Sequence, residues 1–157
     1  MGNKEYFMRL AIQEARINLN TMDGGPFGTV IARGGRVLAA GRNTVLRKDA
    51  SSHAEINAIR DASEAVGTYD LSSCVIFSTT EPCPMCFSAI HLARLDKLYF
   101  GTDIADAAKL GFNEMSISNK ALKELGGSPV KIFPGFMRDE CLEILSDWDS
   151  LEDKIIY

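Results

Sequence analysis

The hydrophobic and polar positions along the chain follow helical and strand patterns in turn. Near the N-terminus, apolar residues recur every three or four positions, which predicts a helix with one buried face over residues 4–20. Short apolar runs bounded by glycine and polar residues follow, and these are typical of buried strands. The pair Gly34-Gly35 between the first two runs predicts a hairpin turn.

The remaining chain continues this alternation of helices and strands. The predicted strands are 27–33, 36–40, 74–78, 97–101 and 130–133. The predicted helices are 4–20, 52–66, 84–92, 106–110, 119–125 and 138–148. A hairpin followed by alternating elements predicts an α/β fold, a three-layer α/β/α sandwich around a mixed, mainly parallel five-stranded sheet. In such folds ligands bind beyond the carboxyl ends of the parallel strands.

Length and composition fit one globular domain. The chain has 157 residues, of which 46% are hydrophobic and 24% charged, and it shows neither internal repeats nor interdomain linkers. We therefore expect residues 1–157 to form a single domain. The formal net charge of −4 argues against a nucleic-acid partner, because nucleic-acid-binding domains usually carry an excess of basic residues.

The sequence also bears on the compartment in which the protein works. No apolar run approaches the length of a membrane span, and the N-terminus lacks the apolar segment of a signal peptide. There are four cysteines, too few in a chain of this length to indicate a disulfide scaffold. These features predict a cytoplasmic protein without a membrane partner.

Two short motifs carry the candidate chemistry. They are the H-x-E motif within Ser52-His53-Ala54-Glu55 and the P-C-x-x-C motif within Glu81-Pro82-Cys83-Pro84-Met85-Cys86. One imidazole and two thiolates are three zinc ligands, the number typical of catalytic sites, which keep a fourth position for water. Alone, the cysteine pair would also fit a redox pair or half of a structural zinc site. Together, at a separation that fits one helix and one strand, the motifs favour a zinc hydrolase, and they match the signature of nucleobase deaminases.

The acid of the first motif is the candidate catalytic residue. Residues two apart on a helix point to different sides, so His53 and Glu55 can face one cavity only where the helix begins. Ser52 and Glu55 match the capping-box pattern, which predicts that start. A carboxylate beside a zinc-activated water can take its proton and return it to a leaving nitrogen, and this is the role predicted for Glu55.

The chain resembles the cytidine-deaminase-like superfamily, and within it the guanine deaminases of bacteria and the plant guanosine deaminases. The resemblance covers most of the chain. Besides the two motifs, it includes residues 24–28, Asp106-Ala107-Ala108, Gly111-Phe112 and the terminal Tyr157. It implies a small nucleobase or nucleoside as substrate and a homodimer as the assembly. In the bacterial enzymes the C-terminal tail reaches the site of the partner subunit.

The resemblance also implies the roles of individual residues. It implies that His53, Cys83 and Cys86 bind one Zn²⁺ ion per subunit and that Glu55 moves protons. The residues that it places against the substrate are Phe27, Asn43, Ala54, Glu114 and Tyr157.

Several of these residues also have simpler interpretations. Asn43 can merely form a turn, Phe27 can be a plain core residue, and Glu114 can be a solvated acid in a loop. Tyr157 can belong to a mobile terminus. Outside the proposed site, the expected roles are structural: Cys74 and Cys141 as core residues, His91 as a helix-face histidine, and Trp148 as a packing anchor.

The predicted activity is hydrolytic deamination of guanine to xanthine and ammonia. Guanine presents its amino group and a ring N–H side by side, and the Glu114 carboxylate could accept hydrogen bonds from both. The alternatives are guanosine, a smaller base such as cytosine, isocytosine or an aminotriazine, the adenosine of a tRNA, and an inactive zinc-stabilised binding protein. Residues 134–141 resemble tRNA adenosine and fungal cytosine deaminases, whereas an intact Glu55 argues against an inactive protein.

Overall fold

The computed structural model describes residues 3–157, so the N-terminal pair Met1-Gly2, part of the segment used for the signal-peptide prediction, lies outside it. The helices are α1 (Asn3–Thr21), α2 (Ala54–Val66), α3 (Pro84–Leu92), α4 (Ile104–Ala108), α5 (Asn119–Gly126) and α6 (Arg138–Asp149). The strands are β1 (Gly28–Arg33), β2 (Arg36–Arg42), β3 (Val75–Thr80), β4 (Lys97–Thr102) and β5 (Lys131–Phe133). Among residues 3–157, each helix is too short or too polar to cross a bilayer.

The five strands form one mixed sheet in the order β2-β1-β3-β4-β5, which confirms the predicted fold class. β1 runs antiparallel to both β2 and β3, whereas β3, β4 and β5 pair in parallel. The expectation of mainly parallel pairing was wrong, since both kinds of pair are equally frequent. The reason is that the hairpin places β1, rather than β2, beside β3.

Helices cover both faces of the sheet, as predicted for a three-layer sandwich. Successive strand residues point to opposite faces, so each strand contributes to two cores. Ile31, Ile76 and Leu98 belong to the core under α2 and α3, together with Phe87 and Ile90. The other core lies under α1 and α6, and its members include Phe7, Met8, Val30, Phe77, Tyr99 and Cys141.

The structural roles predicted for isolated residues are confirmed. Cys74 and Cys141 are buried core residues. The ring of His91 hydrogen-bonds to the Ser128 hydroxyl at 2.9 Å. Trp148 is fully buried on α6, and its ring centroid lies 5.0 Å from that of Phe112.

Two predicted helix starts were wrong. α2 begins at Ala54 with His53 as its N-cap residue, and no side chain caps it, so the proposed box of Ser52 and Glu55 does not form. The short helix predicted from Asp106 begins earlier, at Ile104. Here Asp103 accepts a hydrogen bond from the backbone of Asp106, and the Asp106 carboxylate accepts one from the backbone N–H of Asp103. This reciprocal pair satisfies amides that the short helix leaves unbonded.

Candidate active site

The cysteines of the second motif lie where β3 runs into α3, at the carboxyl end of a central parallel strand. Cys83 is the N-cap residue of α3, with an extended backbone (φ −63°, ψ 168°), and Pro84 follows as the first helical residue. Proline suits this position because it needs no N–H and its φ is already helical. Cys86 therefore falls in the first turn, close to Cys83, and both thiols are buried.

The first motif lies at the start of α2, and its side chains line the same cavity as Cys83. His53 is the N-cap residue, with φ −69° and ψ 159°, and Glu55 lies in the first turn. Because the helix begins between them, both side chains line one cavity, as the sequence predicted. The cavity is also lined by Phe27, Asn43, Thr80, Glu81, Cys83 and Glu114.

His53, Cys83 and Cys86 form a cluster that could hold a metal ion, since their ligand atoms all lie within 4.8 Å of one another. Nδ1 of His53 is 3.6 Å from Sγ of Cys83. Tetrahedral zinc with usual bond lengths places such ligand atoms about 3.5 Å apart. One nitrogen and two sulfurs in this arrangement fit a zinc site with one position left for water or substrate.

The charges in the cavity also fit a bound cation. The hydrogen bond from Cys86, aided by His53, lowers the pKa of the Cys83 thiol to about 4. Burial alone would lower the pKa of His53, but its bond to Cys83 and the nearby carboxylates raise it to about 9. Burial beside Cys83 raises the pKa of Glu114 to about 7. A divalent cation would stabilise the Cys83 thiolate and the Glu114 carboxylate, and it would take the place of the proton on His53.

Glu55 is almost completely buried. Its Oε1 accepts a hydrogen bond of 2.8 Å from the Ser78 hydroxyl on β3. Burial raises the pKa of Glu55 above its ordinary value, because a buried carboxylate loses its hydration. This bond to β3 explains why Glu55 does not fold back to cap α2.

Asn43 and Phe27 both lie on the wall of the cavity. The Asn43 carboxamide oxygen accepts from the backbone N–H of Val45 at 3.1 Å, so Asn43 does form a turn. That bond occupies the amide oxygen and leaves the NH₂ group to donate. Phe27 packs edge-on against Phe112, with ring centroids 5.1 Å apart. Ala54 is fully buried behind them in the same apolar cluster, and its side chain does not line the cavity.

Glu114 and Tyr157 approach the site from the C-terminal part of the chain. Oε1 of Glu114 lies 3.9 Å from Nδ1 of His53. The Tyr157 hydroxyl accepts a 2.8 Å hydrogen bond from the backbone N–H of Gly25, and its ring packs edge-on against Phe112. The backbone oxygen of Tyr157 accepts from Asn113 N–H at 3.0 Å, so the tail also contacts the segment that carries Glu114.

Sequence reasoning gave no role to three residues at this site. Ser78 bonds Glu55, while Thr80 and Glu81 line the cavity. Their position in the sequence could have indicated them. All three lie shortly before the cysteine motif, at the carboxyl end of a strand, where ligands bind in α/β sheets. Their partners lie far away in sequence, so their contacts could not be read from it.

Comparison with known proteins agrees with this geometry. Residues 1–102 match the family model described as the cytidine and deoxycytidylate deaminase zinc-binding region. The chain belongs to this deaminase family. It is therefore a zinc-dependent aminohydrolase, and the predicted zinc cofactor and enzyme class are confirmed.

Relatives within the deaminase family differ in substrate. The chain is 40% identical to the guanine deaminase of Bacillus subtilis over 116 residues, 73% of this chain and 74% of that protein. It is 36% identical to the tRNA-specific adenosine deaminase of Agrobacterium fabrum over 146 residues, 92% and 93% of the two chains. The structure of the guanine deaminase of Nitrosomonas europaea superposes with a TM-score of 0.85 at 27% identity, covering 94% of this chain and 85% of that one.

Proposed function

We propose that this deaminase converts guanine to xanthine and ammonia. The observation that carries the proposal is the position of Glu114. Its carboxylate lines the same cavity as Glu55, with Oε1 3.9 Å from Nδ1 of His53. Similarity to two guanine deaminases, one in sequence and one in structure, supports the same substrate.

Hydrogen-bond chemistry favours guanine at this position. A carboxylate offers acceptors only, and guanine offers its amino group and ring N–H as adjacent donors. Adenine presents a ring acceptor beside its amino group, so it would leave one carboxylate oxygen facing a lone pair. The Asn43 NH₂ group could donate to an acceptor of the bound base, and the Phe27 ring could pack against the base.

The proposed mechanism uses Glu55 as the group that moves protons. Bound zinc, held by His53, Cys83 and Cys86, would supply a water of lowered pKa and electrophilic polarisation. The Glu55 carboxylate takes a proton from the attacking water and delivers it to the ring nitrogen. Oxygen then bonds to the carbon that bears the amine. Glu55 takes the remaining proton of that oxygen and gives it to the leaving nitrogen, so that the oxygen becomes a carbonyl. The carbon–nitrogen bond breaks and ammonia departs.

The C-terminal tail supports a small substrate. The hydroxyl of Tyr157 bonds Gly25, and its ring packs on Phe112, which in turn packs on Phe27. These contacts place the tail beside Phe27, which lines the cavity, so the tail would leave less room for a large substrate. The acidic balance of the chain also disfavours a phosphate backbone.

The test is a substrate comparison with zinc-loaded protein. Ammonia release is followed with guanine, guanosine, cytosine, isocytosine, adenine and an adenosine-containing tRNA anticodon stem-loop. We expect guanine to give the highest kcat/KM. A higher kcat/KM for the stem-loop would replace guanine with the substrate class of the tRNA-specific relatives, and one for a pyrimidine would overturn the role of Glu114.

We also propose that the protein works in the cytoplasm as a homodimer, on the basis of the family resemblance. In this chain the tail contacts its own domain, and the tail of a second copy could make the same contacts by exchange. Light scattering of the purified protein measures the mass directly. We expect twice the 17.2 kDa of one chain, and a monomer would contradict the proposal.

A further inference from the structure

Glu81 lies between the cysteine motif and the segment that carries Glu114, and it bonds to two helix starts at once. Its side chain is buried, with 8% exposed. One carboxylate oxygen accepts from the backbone N–H of Ile104 at 3.0 Å, and the other accepts from that of Asn119 at 2.8 Å. These are the first residues of α4 and α5, whose N–H groups have no partner within their helices. A negative charge is favourable at both positions.

The chain next to Glu81 is held by the same group of residues. The amide NH₂ of Asn119, which is fully buried, donates to the carbonyl of Pro82 at 2.6 Å. The backbone N–H of Glu81 donates to the carbonyl of Thr102 at 2.7 Å, at the end of β4. Glu81 is therefore held through its backbone N–H and its carboxylate, and Pro82 is held through its carbonyl.

The same carboxylate holds both ends of the segment that carries Glu114. Residues 104 and 119 bracket this segment, and Glu81 bonds the backbone at each of them. We infer that Glu81 is a positioning residue that couples the placement of the zinc ligand Cys83 to the placement of Glu114. The part that concerns Glu114 rests on the proposed function, whereas the part that concerns Cys83 does not.

The variant Glu81→Gln isolates this role, because glutamine has almost the same shape as glutamate. Its amide offers one acceptor oxygen and one NH₂ donor, so it can satisfy only one of the two backbone N–H groups. The other N–H would stay buried without an acceptor. A shift of Asn119 would move the carbonyl of Pro82, which accepts a hydrogen bond from the Asn119 side chain. A ligand whose supporting bonds are lost typically holds its metal 10- to 100-fold less tightly.

The experiment measures zinc transfer from the full, zinc-loaded protein to a chromogenic chelator. We expect Glu81→Gln to release zinc about tenfold faster than the wild type, and to raise KM for guanine more than it lowers kcat. The matched control is Asp106→Asn. Asp106 is equally buried at 8% exposed and accepts the backbone N–H of Asp103, but it lies against Arg138 with no bond to the cysteine motif. This control is expected to lose stability and to release zinc at the wild-type rate.

Where Glu81→Gln folds, either of two results would overturn the inference. One is wild-type zinc release from Glu81→Gln, and the other is equal acceleration in Asp106→Asn, because general loss of stability would then explain both. Asn119→Ala removes only the side-chain bond to Pro82 and is measured in parallel, so the test holds even where Glu81→Gln does not fold. Unchanged release from Asn119→Ala in that case also overturns the inference. Zinc release needs no substrate, so failure of the guanine proposal would leave this result unaffected.

Discussion

The hydroxyl of Ser78 donates a 2.8 Å hydrogen bond to Oε1 of Glu55, and Glu55 lines the cavity. Ser78 belongs to the strand that leads into the cysteine motif, and Glu55 belongs to the first turn of the helix that follows His53. This bond therefore fixes the carboxylate relative to both parts of the candidate zinc site. It links two segments that are separated by a helix and a loop in the sequence.

Ser78→Ala is expected to lower kcat roughly fivefold, which corresponds to the ~1 kcal/mol of one hydrogen bond. The zinc content should stay unchanged, since Ser78 contacts no ligand atom. Steady-state kinetics measures kcat, and metal analysis measures the zinc content. The exposed Ser146→Ala serves as the control, and a Ser78→Ala variant with wild-type kcat would contradict the positioning role.

Glu114→Gln is expected to lower kcat/KM for guanine by about 100-fold or more, because the new amide donor would face a donor of the base. Glu114→Asp keeps both acceptor oxygens and should retain more activity than the glutamine variant. Comparing the two variants separates hydrogen-bond character from side-chain length. Equal activity of the glutamine variant and the wild type would remove Glu114 from the substrate pocket.

Tyr157→Phe removes the acceptor of the Gly25 N–H and keeps the ring against Phe112. We expect KM to rise roughly fivefold, the equivalent of one lost hydrogen bond of ~1 kcal/mol, with a smaller change in kcat. Tyr69→Phe, at a position 68% exposed, is the control for the substitution itself. An unchanged KM in Tyr157→Phe would make the tail irrelevant to binding.

The free energy of unfolding should depend on pH through Asp23. Hydrogen bonds from Arg47 and Arg42 lower the pKa of Asp23 below its usual range. A carboxylate whose pKa is lower in the folded state stabilises the fold above its unfolded pKa. This stabilisation is lost as the pH falls through the folded pKa.

Asp23→Asn is therefore expected to lower the free energy of unfolding by ~1 kcal/mol at pH 7. The difference from the wild type should shrink below about pH 4, as Asp23 takes up its proton in the wild type. Urea unfolding at a series of pH values measures this difference in free energy of unfolding, and the exposed Asp153→Asn is the control. A difference that stays constant down to pH 2 would contradict the role of this carboxylate.

The sequence predicted strand residues well where the buried side chains are apolar. It predicted them less well where the buried side chains are polar and are paired by hydrogen bonds. The third strand was expected to end at Ser78, but it continues to Thr80. Its polar end is buried because the hydroxyl of Thr79 accepts from Gly28 N–H at 3.1 Å and that of Thr80 pairs with Thr102 at 2.8 Å. These partners come from other strands, so a local pattern cannot show them.

At the candidate site, the sequence likewise identified some residues and missed contacts that only the fold makes. His53, Glu55 and the two cysteines could be identified because metal ligation fixes their types and local spacing. The bonds of Ser78 and Glu81 could not be predicted, since each joins segments that only the folded chain brings together. The capping-box prediction failed for the same reason, because the partner of Glu55 is a strand residue rather than the start of its own helix.

The most direct test of the account is xanthine formation from guanine by zinc-loaded wild type and Glu55→Gln at equal zinc content. The wild type should form xanthine and ammonia in equal amounts. The variant should bind the same zinc and turn over about 1,000-fold more slowly, since it cannot move protons. Absence of xanthine from the zinc-loaded wild type would contradict guanine as substrate, and a variant as fast as the wild type would contradict the role of Glu55.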